Sequence, residues 1–471
     1  MFFLKSDITG DDIHIYQQIC IGIKEQILSG ALLPNEKLPS KRKLADMLKV
    51  SVNSVTNAYE QLLAEGYIYS LERKGYYVEN ITKLVKKNKN INIFPKDLKE
   101  DFRKEDGWLS LSHMTSDISV FPFNEWMKCQ RIAIHNHQND LAEIVHPQGP
   151  YLVRKTLSRL IALSRGVICE PEQIVFGDST QTLIRNLISM QEGNPIVAVE
   201  DPGYSRLYTM LKIITSNVLT IELDDKGIDI EKVESSGAKF LFVTPSHQFP
   251  TGIIMPISRR IELLNWSIQT QNRYIVEDDY DSEFKYKTDN IPSLQSLDTN
   301  QRVIYIGTFS KTMFPGVRIS YMVLPPKLLK EYRQQFSNLI QGSNSLGLFA
   351  LHYFIEQGYY DRHVKRMNLL YEMKRDLIIK ELYLRFGDDI QIKDVSAGLH
   401  FLARFKTNKT YEEIKAMAIQ RKLEIYSMRR FMLKNKYHIK NKIELIVGFA
   451  TIDEKDIVDA VERLYQIIKG F

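Results

Sequence analysis

Five short apolar runs, Ile196 to Val199, Phe240 to Thr244, Tyr274 to Glu277, Val303 to Ile306 and Tyr321 to Leu324, recur with amphipathic stretches between them. Runs this short and rich in β-branched and aromatic residues are strands. Their alternation with helical periodicity commits the chain from Trp108 onward to a mostly parallel sheet flanked by helices. Ligands bind such sheets at the carboxyl ends of strands, so the residues that follow the runs are the first to inspect. Gly177-Asp178-Ser179-Thr180-Gln181 precedes a helix predicted to begin near Leu183, whose first amides suit an anion. Glu200-Asp201-Pro202-Gly203-Tyr204 follows one run, Asp278-Asp279-Tyr280 another, and Thr308-Phe309-Ser310-Lys311 the next.

A lysine for a Schiff base, an acid to hold a pyridine nitrogen protonated and an arginine for a phosphate are what pyridoxal phosphate asks of a protein. Lys311 would form the imine, Asp278 would pair with the ring nitrogen, and Tyr280 would hydrogen-bond the ring phenolate oxygen. Tyr204 would stack on the ring face. Thr308, Ser310 and Arg318 would join Ser179 and Thr180 around the phosphate. Taken singly, a lysine after a strand is a surface residue and an aspartate a helix cap; it is their conjunction in order that points to a cofactor.

The first eighty residues carry a different pattern. Ile13, Tyr16, Ile19, Cys20, Ile23 and Ile27 form one helical face, ended by Gly30 and Pro34. Ser40 is an N-cap for a short helix from Lys41 to Leu48, and Ser51 for a second, with Val52, Val55, Tyr59, Leu62 and Leu63, closed by Gly66. Two short helices across a tight turn make a helix-turn-helix. Tyr67 to Tyr69 and Gly75 to Val78 then form a hairpin, the wing. On that geometry Asn53, Ser54 and Asn57 reach base edges, Ser40, Lys41 and Arg42 face phosphates, and Arg73 and Lys74 sit at the wing tip. The bland reading is a three-helix interaction domain with a solvated basic face. Charge does not decide the matter: residues 1–107 hold 17 Lys and Arg against 15 Asp and Glu, and the whole chain carries a net charge of +6. The DNA reading rests on placement.

At 471 residues the chain is long enough for two or three domains. Cys20, Cys129 and Cys169 are too few and too scattered for a disulfide framework and fit a reduced, cytoplasmic compartment. No signal peptide or apolar span is expected. Residues 80–107, with Lys86-Lys87-Asn88-Lys89-Asn90, read as a tether, and the segments from Gln391 onward as a smaller α+β subdomain. His135 and His137 lack an acidic or cysteine partner nearby in sequence, so no metal site is expected. His113 and His146 are left between packing and lining the site from a partner subunit.

The run from Leu38-Pro39-Ser40-Lys41-Arg42-Lys43-Leu44-Ala45 through Ala58-Tyr59-Glu60-Gln61-Leu62-Leu63-Ala64-Glu65-Gly66-Tyr67-Ile68 resembles the winged-helix domain of the GntR family of bacterial regulators. Residues 108–468 resemble fold-type I aminotransferases. Thr244-Pro245-Ser246-His247-Gln248-Phe249-Pro250-Thr251-Gly252 and Glu277-Asp278-Asp279-Tyr280 are similar to the branch in which the two are fused, the MocR regulators, and most of all to its γ-aminobutyrate-responsive member. The resemblance implies a winged helix over 13–79, a linker over 80–107, and an α/β aminotransferase-like domain over 108–468 whose small subdomain begins near 330. It further implies a homodimer, with a domain swap as one arrangement of its heads, on a double-stranded operator with two half-sites. Arg206 and Arg430, or Arg429 in its place, would grip an effector carboxylate while the effector amine displaces Lys311 to give an external aldimine. Two departures matter. Val52 stands where relatives often carry a basic residue, and Phe249 stands where many aminotransferases carry an asparagine that tunes the cofactor ring. The second favours a sensor over a catalyst. The rivals are an active aminotransferase with a regulatory headpiece, and a regulator of pyridoxal phosphate itself.

Overall fold

The computed structural model describes residues 14–81, 95–99, 106–113, 116–286, 291–340, 342–392, 396–434 and 441–470. Ile13 and most of the lysine-rich stretch expected to be a tether lie outside them. The chain divides into two compact units, Met1–Arg103 and Lys104–Phe471.

In the first unit, α1 (Ile15–Ser29) packs across α3 (Val52–Ala64), and α2 (Lys41–Leu48) completes a three-helix core. Ser40 and Ser51 cap the second and third helices by accepting from the amides of Lys43 and Ser54. Lys49, in the left-handed region, makes the turn between them. Leu44, Val55, Tyr59 and Leu62 are fully buried as their spacing predicts, with Ala58 beside them, whereas Val52, counted with the same helix, is 44% exposed. Strands β1 (Ile68–Leu71) and β2 (Gly75–Val78) pair antiparallel as the wing.

The second unit is built on an eight-stranded sheet. In chain order, after a short β3 (Leu109–Ser110), its strands are β4 (Ile174–Gly177), β5 (Val197–Asp201), β6 (Val218–Asp224), β7 (Gly227–Ile228), β8 (Phe240–Val243), β9 (Tyr274–Asp279), β10 (Val303–Thr308) and β11 (Ser320–Val323). They lie in the order β4-β11-β10-β9-β8-β5-β6-β7, and only β11 and β7 run against the rest. Alternate residues enter different cores. Val197, Val199, Phe240, Phe242, Val276 and Ile306 pack on one face, Ala198, Leu241, Val243 and Ile275 on the other. Both faces are covered by helices, which is why these strands read as continuous apolar runs.

A second core gathers around an antiparallel sheet of β12 (Ile390–Ile392), β13 (His400–Lys406), β15 (Tyr426–Ser427) and β16 (Lys442–Gly448). A separate pair, β14 (Leu423–Glu424) with β3, ties the start of this unit to its C-terminal part. The helices Pro326–Phe336 and Ser345–Glu356 pack into the cores of the large sheet. The smaller core takes Met367, Tyr371, Ile378, Leu382 and Phe386 from the helix Tyr359–Phe386, together with Leu111, Phe284 and Tyr286 from earlier in the chain. Among the described residues, no helix is long and apolar enough to cross a membrane.

Candidate functional site

The strand ends deliver their side chains to one cavity of 450 Å³. Register explains the convergence: Asp278 on β9 lies beside Ile306 on β10, and Lys311 follows three residues beyond the end of β10. Lining the cavity are Ser179, Thr180, Tyr204, Arg206, Asp278, Tyr280, Thr308, Ser310, Lys311 and Arg318.

The Lys311 ammonium donates to the carbonyl of His113 at 2.9 Å. Burial pushes its pKa down to about 8. The Asp278 carboxyl is pushed up to about 7, first by burial and then by Asp279 and Asp281, and its Oδ1 has no hydrogen-bond partner among the described residues. A buried acceptor in that state calls for a donor from outside the chain. A protonated pyridine nitrogen is such a donor. Tyr280 donates its hydroxyl to the His247 carbonyl at 3.1 Å. The His247 ring nitrogen Nδ1 lies 2.9 Å from an Asp281 carboxylate oxygen.

At the opposite end, Ser179 caps the helix Thr180–Ser189 by accepting from the Thr182 amide at 3.1 Å. The helix starts at Thr180 rather than near Leu183 because this cap draws Thr180 to Thr182 into its first turn. Thr308 Oγ1 accepts from the Ser310 amide at 3.2 Å and from Ser320 Oγ at 2.9 Å. Arg318, exposed and in the left-handed region at φ 51°, closes this end. Hydroxyls, helix amides and a guanidinium around one end suit a phosphate, so the residues present fit pyridoxal phosphate at both ends of its ring.

Arg206 lines the cavity; Arg430 does not, and its guanidinium sits 4.9 Å from the Tyr426 ring centroid. Both nevertheless act electrostatically on His113, which, chiefly through burial and then beside Lys311, Arg430 and Arg206, falls to a pKa of about 3. Arg429 instead pairs with Glu412 at 2.6 Å. Phe249 presents an apolar face at the asparagine position, edge-on to the rings of Tyr204, Tyr280 and Phe431.

Sequence reasoning missed part of this wall. His113, which the sequence left between packing and the site, lines the cavity of its own chain, three residues beyond the end of β3. His146 is not among the lining residues and accepts from the Gln148 amide. His137 has an acidic neighbour after all, Asp140 at 2.7 Å, and stacks on Phe349 at 4.0 Å. His247, Asp281 and His400, drawn from three segments, place polar atoms within 4.8 Å of one another. His247 Nδ1 faces Asp281, and the His400 ring lies tilted against that of His247 at 4.8 Å. No local spacing could have announced them.

In the N-terminal unit Asn53 and Asn57 are exposed on α3, and Arg42 and Lys74 are exposed as well. Ser54 is partly committed, its hydroxyl 2.8 Å from that of Ser51. Lys41 lies 3.8 Å from a Glu60 carboxylate oxygen and over the Tyr76 ring. Ser40 spends its side-chain oxygen on the α2 cap.

Residues 15–78 match the family model of bacterial regulatory proteins of the gntR family, and 108–464 that of aminotransferase class I and II. The chain is 35% identical over 453 residues to the uncharacterized HTH-type transcriptional regulator YdeL of Bacillus subtilis, covering 96% of each. It is 29% identical over 472 residues to the probable rhizopine catabolism regulatory protein MocR of Rhizobium meliloti, covering 96% of this chain and 93% of that one. This chain belongs to the MocR branch of the GntR regulators. The fold of its larger unit is that of the Pyrococcus horikoshii kynurenine aminotransferase, with a TM-score of 0.67 at 22% identity over 77% of this chain and 91% of that one. A MocR regulator thus joins a DNA-binding winged helix to an aminotransferase-like domain of the kind that takes pyridoxal phosphate.

Proposed function

We propose that this MocR regulator senses an amino-acid-type effector, with γ-aminobutyrate favoured, through covalent exchange at pyridoxal phosphate, and passes the result to its DNA-binding heads. The observation that carries the reading is the pairing, in one cavity, of a buried Lys311 of lowered pKa with an Asp278 oxygen that has no partner among the described residues. When bound, the cofactor supplies an aldehyde that joins primary amines. Lys311, neutral in a substantial fraction near pH 8, serves as the resident amine that an effector replaces. Asp278 holds the ring nitrogen. Ser179, Thr180, Thr308, Ser310 and Arg318 hold the phosphate. Arg206 binds the effector carboxylate from the cavity wall, and Arg430 joins it by turning in from its place over the Tyr426 ring.

Phe249 favours sensing over turnover, because its apolar ring cannot donate a hydrogen bond to the ring oxygen. The effector must bind one arrangement of the two units better than another, since a ligand with equal affinity for both shifts nothing. A homodimer on an operator with two half-sites, acting in the cytoplasm, completes the reading. The test is the visible spectrum of the cofactor-loaded full chain titrated with γ-aminobutyrate and a panel of amino acids, with Lys311→Ala as control and keto product assayed alongside. A shift that persists for one amine without product supports the sensor. Rapid keto-product formation would make the chain an aminotransferase, and no cofactor band would refute both.

A further inference from the structure

Two buried side chains beside the cavity have been given no part in holding cofactor or effector. Asp281 lines the cavity and His247 sits against it, their side chains 2% and 4% exposed. His247 Nδ1 and an Asp281 carboxylate oxygen are 2.9 Å apart. A carboxylate can only accept, so the imidazole nitrogen carries the proton and donates it to Asp281. The ring has little freedom to leave. Gly398 passes against it at φ 79°, where a Cβ would run into the imidazole, and the Gly398 carbonyl is itself held by the Tyr286 hydroxyl at 2.8 Å.

The same histidine holds Tyr280, whose hydroxyl donates to the His247 carbonyl at 3.1 Å and lies 3.0 Å from Nδ1. Asp281 thereby acts on three groups of the site. After burial, it is the largest influence keeping the Tyr280 hydroxyl protonated. It adds to Asp279 in raising Asp278. Against the burial that lowers Lys311 to about 8, Asp281 is the charge that favours the ammonium. The other titratable groups of the cavity do not serve Lys311 in this way. Burial keeps His113 and His400 neutral and the Tyr204 phenol protonated, and Arg206 and Arg318 bring positive charge. Asp278 and, beyond Asp281, Glu283 are both pushed up to about 7, chiefly by burial. Asp278 Oδ1 has no partner among the described residues, whereas Asp281 has the His247 donor.

We propose that Asp281, aligned by His247, is the counter-charge of Lys311, and that this pair sets how readily the lysine gives up its proton to join an aldehyde. The proposal rests on the cofactor reading above. The neutral amine adds to the aldehyde carbon and water leaves, so the ammonium proton must first pass to solvent. Asp281 acts through Lys311 and Tyr280, and His247 through Asp281; both are positioning residues.

Stopped-flow absorbance of the cofactor-free full chain mixed with pyridoxal phosphate, repeated across pH, reads the midpoint of capture. The native chain is expected to give a midpoint near 8. Asp281→Asn keeps the shape and loses the charge. It is expected to lower the midpoint by about one pH unit, with capture about five- to tenfold faster at about pH 6.5 and the same plateau at high pH. His247→Leu is expected to lower it as well, because a buried carboxylate without a donor takes up a proton. His247→Asn, which keeps an N–H, is expected to hold the native midpoint. A merely structural pair would change stability or the extent of loading and leave the midpoint in place; that result overturns the proposal and leaves the effector reading standing. The same comparison is made without cofactor, by acetylating the chain with acetic anhydride across pH and quantifying the Lys311 peptide by mass spectrometry, so a chain that fails to load still yields its midpoint. A midpoint that falls with Asp281→Asn in that assay, in a protein that gives no visible band with cofactor, keeps the counter-charge and refutes the effector reading.

Discussion

Replacing Asp278 by asparagine should move two properties in opposite directions. In the cofactor-free protein the carboxylate sits buried beside Asp279 and Asp281, and its pKa rises from 3.8 to about 7. A raised acid means that the folded chain binds more protons than the unfolded one. Stability is then lost as pH climbs through that window. The rise is about three pH units at 1.36 kcal/mol each, or about 4 kcal/mol above pH 7, an upper bound because water entering the cavity screens part of it. Asp278→Asn removes the charge, so the cofactor-free variant should be more stable than the native protein at pH 8 and should lose Asp278's share of the decline between pH 4 and 7, while the shares of the buried Glu200, Glu277 and Glu283 remain. Cofactor affinity should fall at the same time, by about a hundredfold or more, because a buried charge-assisted pair with the ring nitrogen is gone. Denaturant unfolding of cofactor-free protein across pH, with cofactor titration at pH 8, gives both numbers. A variant that is less stable without cofactor and binds it as tightly as the native chain would refute the reasoning.

Other expectations follow from the same geometry. Arg318→Ala should weaken cofactor binding by about tenfold or more through lost phosphate contact, and inorganic phosphate should compete less well against cofactor in the variant than in native protein. Capture of cofactor needs Lys311 neutral, so its rate should rise with pH to a midpoint near 8, where an exposed lysine would give one near 10.5; stopped-flow absorbance measures it. Ser51→Ala removes the cap on α3 and should cost the N-terminal unit about 1 kcal/mol, read as faster amide exchange through that helix.

Much of this molecule was legible because its signals are local. The caps at Ser40 and Ser51, the inward face of Leu44, Val55, Tyr59 and Leu62, and the turn at Gly66 follow from side-chain chemistry within a few positions. The apolar runs gave the central strands, since a sheet covered on both faces needs no polar alternation. β4 and β6 were not picked out: Ile174–Gly177 is brief, and Val218–Asp224 alternates with polar residues near the sheet edge. The reversal of β11 against β10 was equally invisible, since direction is set by the connection between strands and not by their composition. At the site, the residues that follow strands could be named in advance. His247, Asp281 and His400 could not, and His113 only as one of two alternatives, because their neighbours come from segments far apart in the chain. The division of Arg429 and Arg430 between Glu412 and the surroundings of His113 depended on the turn that carries them.

The central claim is that exchange at Lys311 reaches the DNA heads. Its most direct test is the affinity of the cofactor-loaded full chain for a duplex selected from genomic fragments by the same protein, measured with and without the amine that shifts its spectrum. The account predicts that the amine changes the affinity or the footprint across two half-sites for native protein, and leaves both unchanged for Lys311→Ala. An equal response from the lysine variant, or a spectral shift with no change at the DNA, would contradict it.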